Sequence, residues 1–158
     1  MAVFKLTTQI KAPIERCFLL SLSIDLHKEG LEHTGEIPVS GVTTGIIREN
    51  ESVTWKAKHF GFWLHHTSKI TGYDKPKYFQ DSMTKGMFKD FVHDHHFNER
   101  DTHTEMIDTL VFNSPFGIIG RITDSLFLSN YLERLINSRN QTIKSIAESN
   151  SWQKYVDV

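Results

Sequence analysis

The spacing of hydrophobic residues changes along the chain, and the first third predicts a strand followed by two short helices. Residues 3–10 alternate, with Phe4, Leu6 and Ile10 on one parity, as in a half-buried strand. Residues 12–22 then place apolar side chains at helical spacing after Pro13, a residue suited to the first helical position. Residues 23–31 predict a second short helix that ends near Gly30.

The middle of the chain predicts strand after strand. Alternation of apolar and polar residues, broken by turn-forming residues, fills the region from Gly45 to Phe112. The segment before it, from Glu32 to Thr44, is rich in Gly, Pro, Ser and Thr and is predicted to be a loop near the mouth of a cavity. Six antiparallel strands are predicted here: 45–49, 52–60, 62–72, 78–84, 90–98 and 102–112.

The last third returns to helical spacing. Ser114 and Pro115 suit a cap and a first turn, and isoleucines and leucines recur at helical intervals to about Ser149, which predicts one long amphipathic helix. The order of elements predicts an α+β fold in which a curved antiparallel sheet of about seven strands wraps around the C-terminal helix. The whole chain, residues 1–158, is predicted to be a single domain.

Composition narrows the possible functions. The 18 Lys and Arg residues and the 19 Asp and Glu residues are spread along the chain, so no basic field is present and nucleic acid is not an expected partner. No window approaches the roughly 18 apolar residues of a membrane span, so we expect a cytoplasmic protein without stable membrane insertion. Cys17 is the single cysteine, and its apolar surroundings predict a buried thiol instead of a nucleophile.

Four blocks of sequence together resemble a known family. They are SIDLH at 23–27, VTWKAKHFGFW at 53–63, YFQDSMTKGMFKDFVHDHHF at 78–97 and MIDTLVFNSPFGIIG at 106–120. They look like the bacterial ligand-binding or cyclase/dehydrase-like group of the SRPBCC superfamily, which also includes START domains, polyketide cyclases and birch-pollen-allergen proteins. The resemblance implies the helix-grip fold and a pocket for a small hydrophobic or amphipathic molecule. It does not identify a substrate, because the superfamily mixes enzymes with binding proteins.

The stretch FVHDHHF, residues 91–97, concentrates the candidate chemistry. Side chains alternate between the faces of a strand, so Phe91, His93, His95 and Phe97 are predicted to share the inner face. Asp94 and His96 fall on the outer face and are expected to be solvated. The histidines therefore form two pairs that point in opposite directions.

Hairpin pairing predicts which residues surround His93. A turn around residues 98–101 would place His93 opposite Asp108, His95 opposite Met106 and Phe91 opposite Leu110. A turn around Met87 would place Asp81 opposite His93 and Phe79 opposite His95. The predicted result is a row of Asp81, His93 and Asp108 across three strands, while a slip of two residues would keep the face and change the pairs. Two flanking carboxylates favour a charged imidazole, so the pKa of His93 is expected above about 6.5 unless burial dominates.

Three hypotheses compete for this row. A metal site has nominal ligands in His93, His95 and one of the two carboxylates, but no Cys cluster or second HxH pair completes a shell, so neither metal nor cofactor is expected. A catalytic site would use His93 as general acid or base, with Asp81 and Asp108 orienting it. A buried polar network that orients a ligand is the interpretation we favour.

Other histidines and arginines carry weaker signals. His59 and His66 fall on the inner parity near a strand end, and His27 could reach the cavity mouth from the second helix. Arg139 is expected to be solvated on the long helix unless it tips inward.

The sequence therefore predicts a protein that binds a small hydrophobic or amphipathic molecule between the sheet and the C-terminal helix. The alternatives are a cyclase or dehydratase that uses His93, and a protein-interaction module marked by an exposed apolar patch. The predicted ligand-binding residues are Trp55, Leu64, Phe79, Asp81, Phe91, His93, His95, Phe97, Met106, Asp108 and Leu110.

Overall fold

The computed structural model describes residues 1–114 and 127–156. A first strand, β1 (Ala2–Ile10), is followed by two short helices, α1 (Ile14–Ser21) and α2 (Ile24–Gly30). Pro13 stands directly before α1 instead of within its first turn, and the Ser23 side chain caps α2 by accepting a hydrogen bond from the Leu26 backbone N–H. The predicted order of strand, helix and helix is confirmed.

Seven antiparallel strands form one curved sheet, as predicted. The strands after α2 are β2 (Ile37–Gly41), β3 (Ser52–His59), β4 (Phe62–Asp74), β5 (Tyr78–Lys85), β6 (Asp90–Glu99) and β7 (Thr104–Asn113). In the sheet the strands lie in the order β1-β7-β6-β5-β4-β3-β2, so consecutive strands from β2 to β7 are paired and β1 pairs with β7.

One predicted strand is wrong. Residues 45–49 form no strand, and Ile46 makes only an isolated bridge to Ser23. The second strand lies instead at Ile37–Gly41, inside the predicted loop. The sequence pattern did not show this strand, because proline usually interrupts a strand and Pro38 lies within it. β2 is an edge strand, so the missing N–H of Pro38 removes no hydrogen bond between strands.

The long α-helix α3 (Ser129–Ala147), which a short 3-10 helix (Trp152–Tyr155) follows, confirms the C-terminal part of the predicted helix. The predicted start at Ser114 and Pro115 and the turns up to residue 126 lie outside the described residues. Leu135, Ile143 and Ala147 of α3 are buried against the sheet and against α1 and α2. Sheet and helix thus each cover the apolar face of the other.

The core between these layers is centred on α1. Phe18 is fully buried and makes edge-to-face contacts with Tyr73, Phe79 and Phe97, whose ring centroids lie 5.4, 5.7 and 5.5 Å away. Cys17 is fully buried, as expected, and burial raises the pKa of its thiol to about 11.

The helices meet closely at Gly30. A Cβ atom at this position would lie 3.2 Å from the Arg139 Cα, so the absent side chain lets α2 approach α3. None of the helices in residues 1–114 and 127–156 is both long enough and apolar enough to cross a membrane.

Candidate functional site

A cavity lies between the sheet and the helices. Its walls come from the end of α1, from α2, from the inner faces of β3 to β6 and from α3. Its volume is about 190 Å³, below the roughly 300 Å³ at which pockets for drug-sized ligands begin. Apolar side chains make most of the wall, and titratable side chains line it on β3 to β6, on the α2 side and on α3.

Most of the predicted site residues line this cavity. They are Trp55, Leu64, Phe79, Asp81, Phe91, His93 and His95. Phe97 and Met106 do not line it, because they are packed in the main core next to α1, and Leu110 lies in a second core cluster with Phe112 and Leu128. Asp108 does not reach the cavity either: its side chain is fully buried behind the two histidines.

The inner face of β6 is the one that the alternation predicts. His93, His95 and Phe97 are buried, and His96 is exposed. Asp94 is half-buried instead of solvated, because its carboxylate accepts hydrogen bonds from the Tyr78 hydroxyl and the Gln80 amide.

The pairing of β5 with β6 is confirmed, whereas the predicted pairing of β6 with β7 is wrong by two residues. Asp81 lies opposite His93 and Phe79 opposite His95. Across β7, however, His93 faces Leu110, and it is His95 that faces Asp108. The turn is formed by residues 100–103, closed by the hydrogen bond from the Arg100 N–H to the His103 carbonyl.

With this register of β6 and β7, the predicted row of three residues becomes a cluster of four side chains. Asp108 Oδ1 lies 2.8 Å from His93 Nε2 and 3.0 Å from His95 Nδ1. Asp81 Oδ2 lies 2.8 Å from His95 Nε2 and 3.8 Å from His93 Nδ1. Each carboxylate therefore contacts both imidazoles, with Asp108 behind them and Asp81 beside the cavity.

Aromatic contacts hold the two imidazole rings. The His95 ring stacks on Phe79 at a centroid distance of 4.0 Å and an interplanar angle of 16°. The His93 ring lies 3.8 Å from the His95 ring. Because both rings are buried, their orientation is set by packing as well as by the carboxylates.

Helix α3 supplies two further members of the cluster that the sequence did not reveal. Asn140 is fully buried and donates a hydrogen bond of 2.7 Å to Asp108 Oδ2. Arg139 is also buried, contrary to the expectation of a solvated side chain: its Nη1 lies 3.5 Å from Asp108 Oδ1, and its Nη2 donates to the Ser21 carbonyl. Adjacent positions on a helix do not share a face, so helical spacing alone gave no signal for this pair.

The carboxylates are held in their ionised form. Burial alone would raise the pKa of Asp108, but the hydrogen bond from His93, the close contact with His95 and the charges of the two rings hold it well below its usual range. The pKa of Asp81 is lowered in the same way: burial opposes ionisation, and the His95 hydrogen bond, the histidine charges and a 2.7 Å hydrogen bond from the Ser68 hydroxyl outweigh it.

The pKa of His93 moves in the opposite direction from the leading sequence expectation. Burial lowers it, the neighbouring His95 lowers it further, and the hydrogen bond and charges of Asp108 and Asp81 only partly compensate. Burial therefore dominates, and His93 is neutral at neutral pH. With Nε2 donating to Asp108, its Nδ1 is left as an acceptor near Asp81.

A second polar group lies on the α2 side of the cavity. The His27 ring stacks on Trp55 at 4.3 Å, and its Nε2 lies 2.9 Å from a Glu36 carboxylate oxygen. His59 and His66 also line the cavity, and burial lowers the pKa of both. Glu36 lay in the predicted loop and was missed, since nothing in its sequence neighbourhood marks an inward-facing carboxylate.

The arrangement can bind or move protons, and part of it has the composition of a metal site. One ligand atom from each of Asp81, His93 and His95 lies within 4.8 Å of the others. The same cavity offers aromatic surface and one wall of hydrogen-bond acceptors.

Comparison with known proteins identifies the fold. No protein-family model matches the chain, and no curated protein sequence does. Solved structures do: protein TTHA0849 from Thermus thermophilus superposes with a TM-score of 0.70 at 16% identity, covering 91% of this chain and 98% of that one. Ara h 8.0201 gives a TM-score of 0.68 at 12% identity, covering 94% and 99% of the two chains. The major latex-like protein 151 from Panax ginseng gives 0.68 at 14%, covering 94% and 98%. The chain thus has the SRPBCC-like helix-grip fold that its sequence resembles.

Proposed function

We propose that this protein binds one small amphipathic molecule in the cavity between the sheet and α3. The observation that carries the proposal is the composition of the cavity wall: aromatic and aliphatic side chains cover most of it, and Asp81, His93 and His95 form a polar patch on the β5–β6 side, apart from the His27–Glu36 pair near α2. Such a wall suits a ligand with an apolar body and one polar group. The likeness to birch-pollen-allergen-type folds supports it, since that resemblance implies a hydrophobic ligand pocket.

The polar end favours a ligand that donates hydrogen bonds. Asp81 is ionised and accepts only, and His93 Nδ1 is an acceptor when Nε2 donates to Asp108. A hydroxyl, a phenol or an amine would satisfy these acceptors, whereas a carboxylate would meet the negative charge of Asp81. The modest cavity volume favours a single ring system or a short chain over a long lipid.

The apolar wall can be tested at Phe91. Replacing Phe91 by Ala should weaken binding by about 1 to 3 kcal/mol, since apolar contact with the ligand is lost. Displacement of a fluorescent apolar probe measures this, and native mass spectrometry of freshly purified protein would reveal a co-purified ligand. Val92→Ala is the matched control, because Val92 is the next residue of β6 and points to the outer face. Equal probe affinity in the Phe91→Ala variant, or no probe binding by any form, would contradict the proposal.

A second candidate is an enzyme of the cyclase or dehydratase kind. It is favoured by the His93–Asp108 pair, in which a buried carboxylate fixes the imidazole with its other nitrogen towards the cavity side. A neutral, oriented imidazole is what a general base requires, and such a base contributes roughly 100-fold or more to the rate.

His93→Gln separates the two candidates. Glutamine keeps much of the shape and removes the group that takes a proton. If the protein only binds its ligand, this substitution should change the affinity modestly. If the protein is an enzyme, the variant should lose turnover of any substrate that the wild type converts and should still bind it. His96→Gln, on the exposed face of the same strand, is the control for general effects of histidine loss.

A further inference from the structure

We propose that Asp81, His93 and His95 form a three-ligand site for a divalent cation of the zinc class, with a fourth position open to the cavity. The sequence offered His93, His95 and a carboxylate as nominal ligands and argued against a metal because no Cys cluster or second HxH pair completes a shell. In the structure the carboxylate is that of Asp81, and all three ligand atoms lie within 4.8 Å of one another.

Two of the three separations between the ligand atoms bracket the value expected for tetrahedral coordination. Ligand atoms about 2.0 to 2.1 Å from a tetrahedral zinc ion lie about 3.3 Å from each other. Asp81 Oδ2 lies 2.8 Å from His95 Nε2 and 3.8 Å from His93 Nδ1, so the two separations bracket that value. A shift of about 1 Å in the Asp81 carboxylate, away from His95 and towards His93, would equalise them.

The groups behind these three residues have the arrangement of outer-sphere support. Metal-bound histidines usually donate their second ring N–H to a carboxylate, which fixes the ring and its tautomer. Asp108 takes this position for His93, at 2.8 Å from Nε2. Asp108 is itself held by the Asn140 amide, and Asp81 Oδ1 is held by the Ser68 hydroxyl, which leaves Oδ2 for a cation.

His95 would exchange one hydrogen bond for the bond to the metal. Its Nε2 forms a hydrogen bond of 2.8 Å with Asp81 Oδ2, and its buried Nδ1 lies 3.0 Å from Asp108 Oδ1 without the alignment of a hydrogen bond. A neutral imidazole carries a single N–H and can donate to only one of these carboxylates. When the N–H is on Nδ1, on the Asp108 side, the Nε2 lone pair and Asp81 Oδ2 both point at the place that a cation would occupy.

The charges of the described residues also favour a bound cation. Asp81 and Asp108 carry two negative charges, and Arg139, 3.5 Å from Asp108, supplies one positive charge. These three charges sum to one negative charge beside the cavity. Two imidazole nitrogens and one carboxylate oxygen suit zinc, cobalt or ferrous iron and disfavour calcium and magnesium, which prefer oxygen ligands alone.

The open coordination position determines what a bound metal could bind in turn. Asp81, His93 and His95 all line the cavity, so a metal could enter there, and its remaining position would take water or an oxygen of a bound molecule. The proposal does not depend on the identity of the amphipathic ligand.

The experiment uses chelator-treated full-length protein titrated with ZnCl₂ in a calorimeter and with CoCl₂ in a spectrophotometer. We expect one metal ion per chain and the visible absorption bands of tetrahedral Co²⁺. His95→Gln and Asp81→Asn should each weaken binding at least about tenfold and remove the Co²⁺ bands. The control variant His96→Gln changes an exposed histidine one residue away and should bind as the wild type does.

Two results would overturn the proposal. One is a wild type that takes up no Zn²⁺ and gives no tetrahedral Co²⁺ spectrum, and the other is binding that survives in Asp81→Asn and His95→Gln. Asp81 is partly exposed and asparagine has the same shape, so this variant provides a folded test even if a histidine variant fails to fold. Apolar-probe binding measured in chelator tests the ligand proposal separately, so either proposal can fail without the other.

Discussion

His93 shows how burial and charge compete at a single residue. Two carboxylates lie near its ring nitrogens, and from the sequence alone they favour the charged form. The ring is only 4% exposed, however, and its closest aromatic neighbour is a second histidine. Removing the imidazolium from water costs more free energy than its interaction with the carboxylates provides, because the carboxylates also interact with Ser68, Asn140 and Arg139.

NMR titration of the His93 ring in metal-free protein tests this balance. We expect a titration midpoint below the value of about 6.5 for a free histidine and, at neutral pH, a neutral ring with its proton on Nε2. The His93→Gln variant assigns the resonance. A midpoint above 6.5 would mean that the two carboxylates dominate and would restore the charged row expected from the sequence.

At the level of elements, the alternation of apolar residues predicted most strands and their inner faces but could not fix every register. Both registers of β6 and β7 that differ by two residues bury the same face, so hydrophobic pattern does not distinguish them. The observed register also pairs polar residues near the turn: Asn98 and Arg100 both donate to Glu105. Such pairs are individually weak and easily overlooked.

The consequence for the site is limited, because a shift of two residues keeps Asp108 on the inner face. A residue diagonal to its neighbour across the ladder is still within reach of a long side chain, and Asp108 contacts His93 although His93 pairs with Leu110. The four titratable residues could therefore be predicted as a group, while their individual contacts could not.

The contribution of α3 was hidden for a different reason. Helical spacing identifies which apolar residues face the sheet, but polar residues at the edge of that face read as solvated. Arg139 and Asn140 are buried because Asp108 and the Ser21 carbonyl offer them partners in the interior. These partners are 32 and 118 positions away along the chain, so the local sequence does not reveal them.

In the molecule as a whole, the sheet and α3 enclose ionisable groups that are tuned by burial. The four-residue cluster lies on one side of the cavity, and the Glu36–His27 pair lies on the other. Burial would raise the pKa of Glu36, but the hydrogen bond and charge of His27 lower it overall. The interior therefore holds at least three carboxylates in ionised form, which makes the stability of the fold depend on pH.

Acid should destabilise the metal-free protein in two stages. The folded-state pKa of His93 is lowered, so the unfolded chain takes up a proton first, and stability present above about pH 6.5 is lost as the pH falls below that value. The folded-state pKa values of Asp81, Asp108 and Glu36 are also lowered, so the stability that they contribute is present above about pH 4 and is lost as the pH falls further through their folded-state values.

Urea unfolding in the presence of chelator at roughly pH 7, 5.5, 4 and 3 measures the free energy of unfolding across both stages. It should decrease at each step. Asp108→Asn lowers the stability at neutral pH and should flatten the decrease below about pH 4, because one of the carboxylates that takes up a proton is gone. Asp101→Asn removes an exposed carboxylate from the β6–β7 turn and should leave the wild-type profile unchanged. If stability stayed constant or rose between about pH 7 and pH 4, His93 would not be neutral in the folded protein. If it stayed constant between about pH 4 and pH 3, Asp81, Asp108 and Glu36 would not be held in their ionised forms, and the ligand chemistry proposed for the cavity would have to be revised.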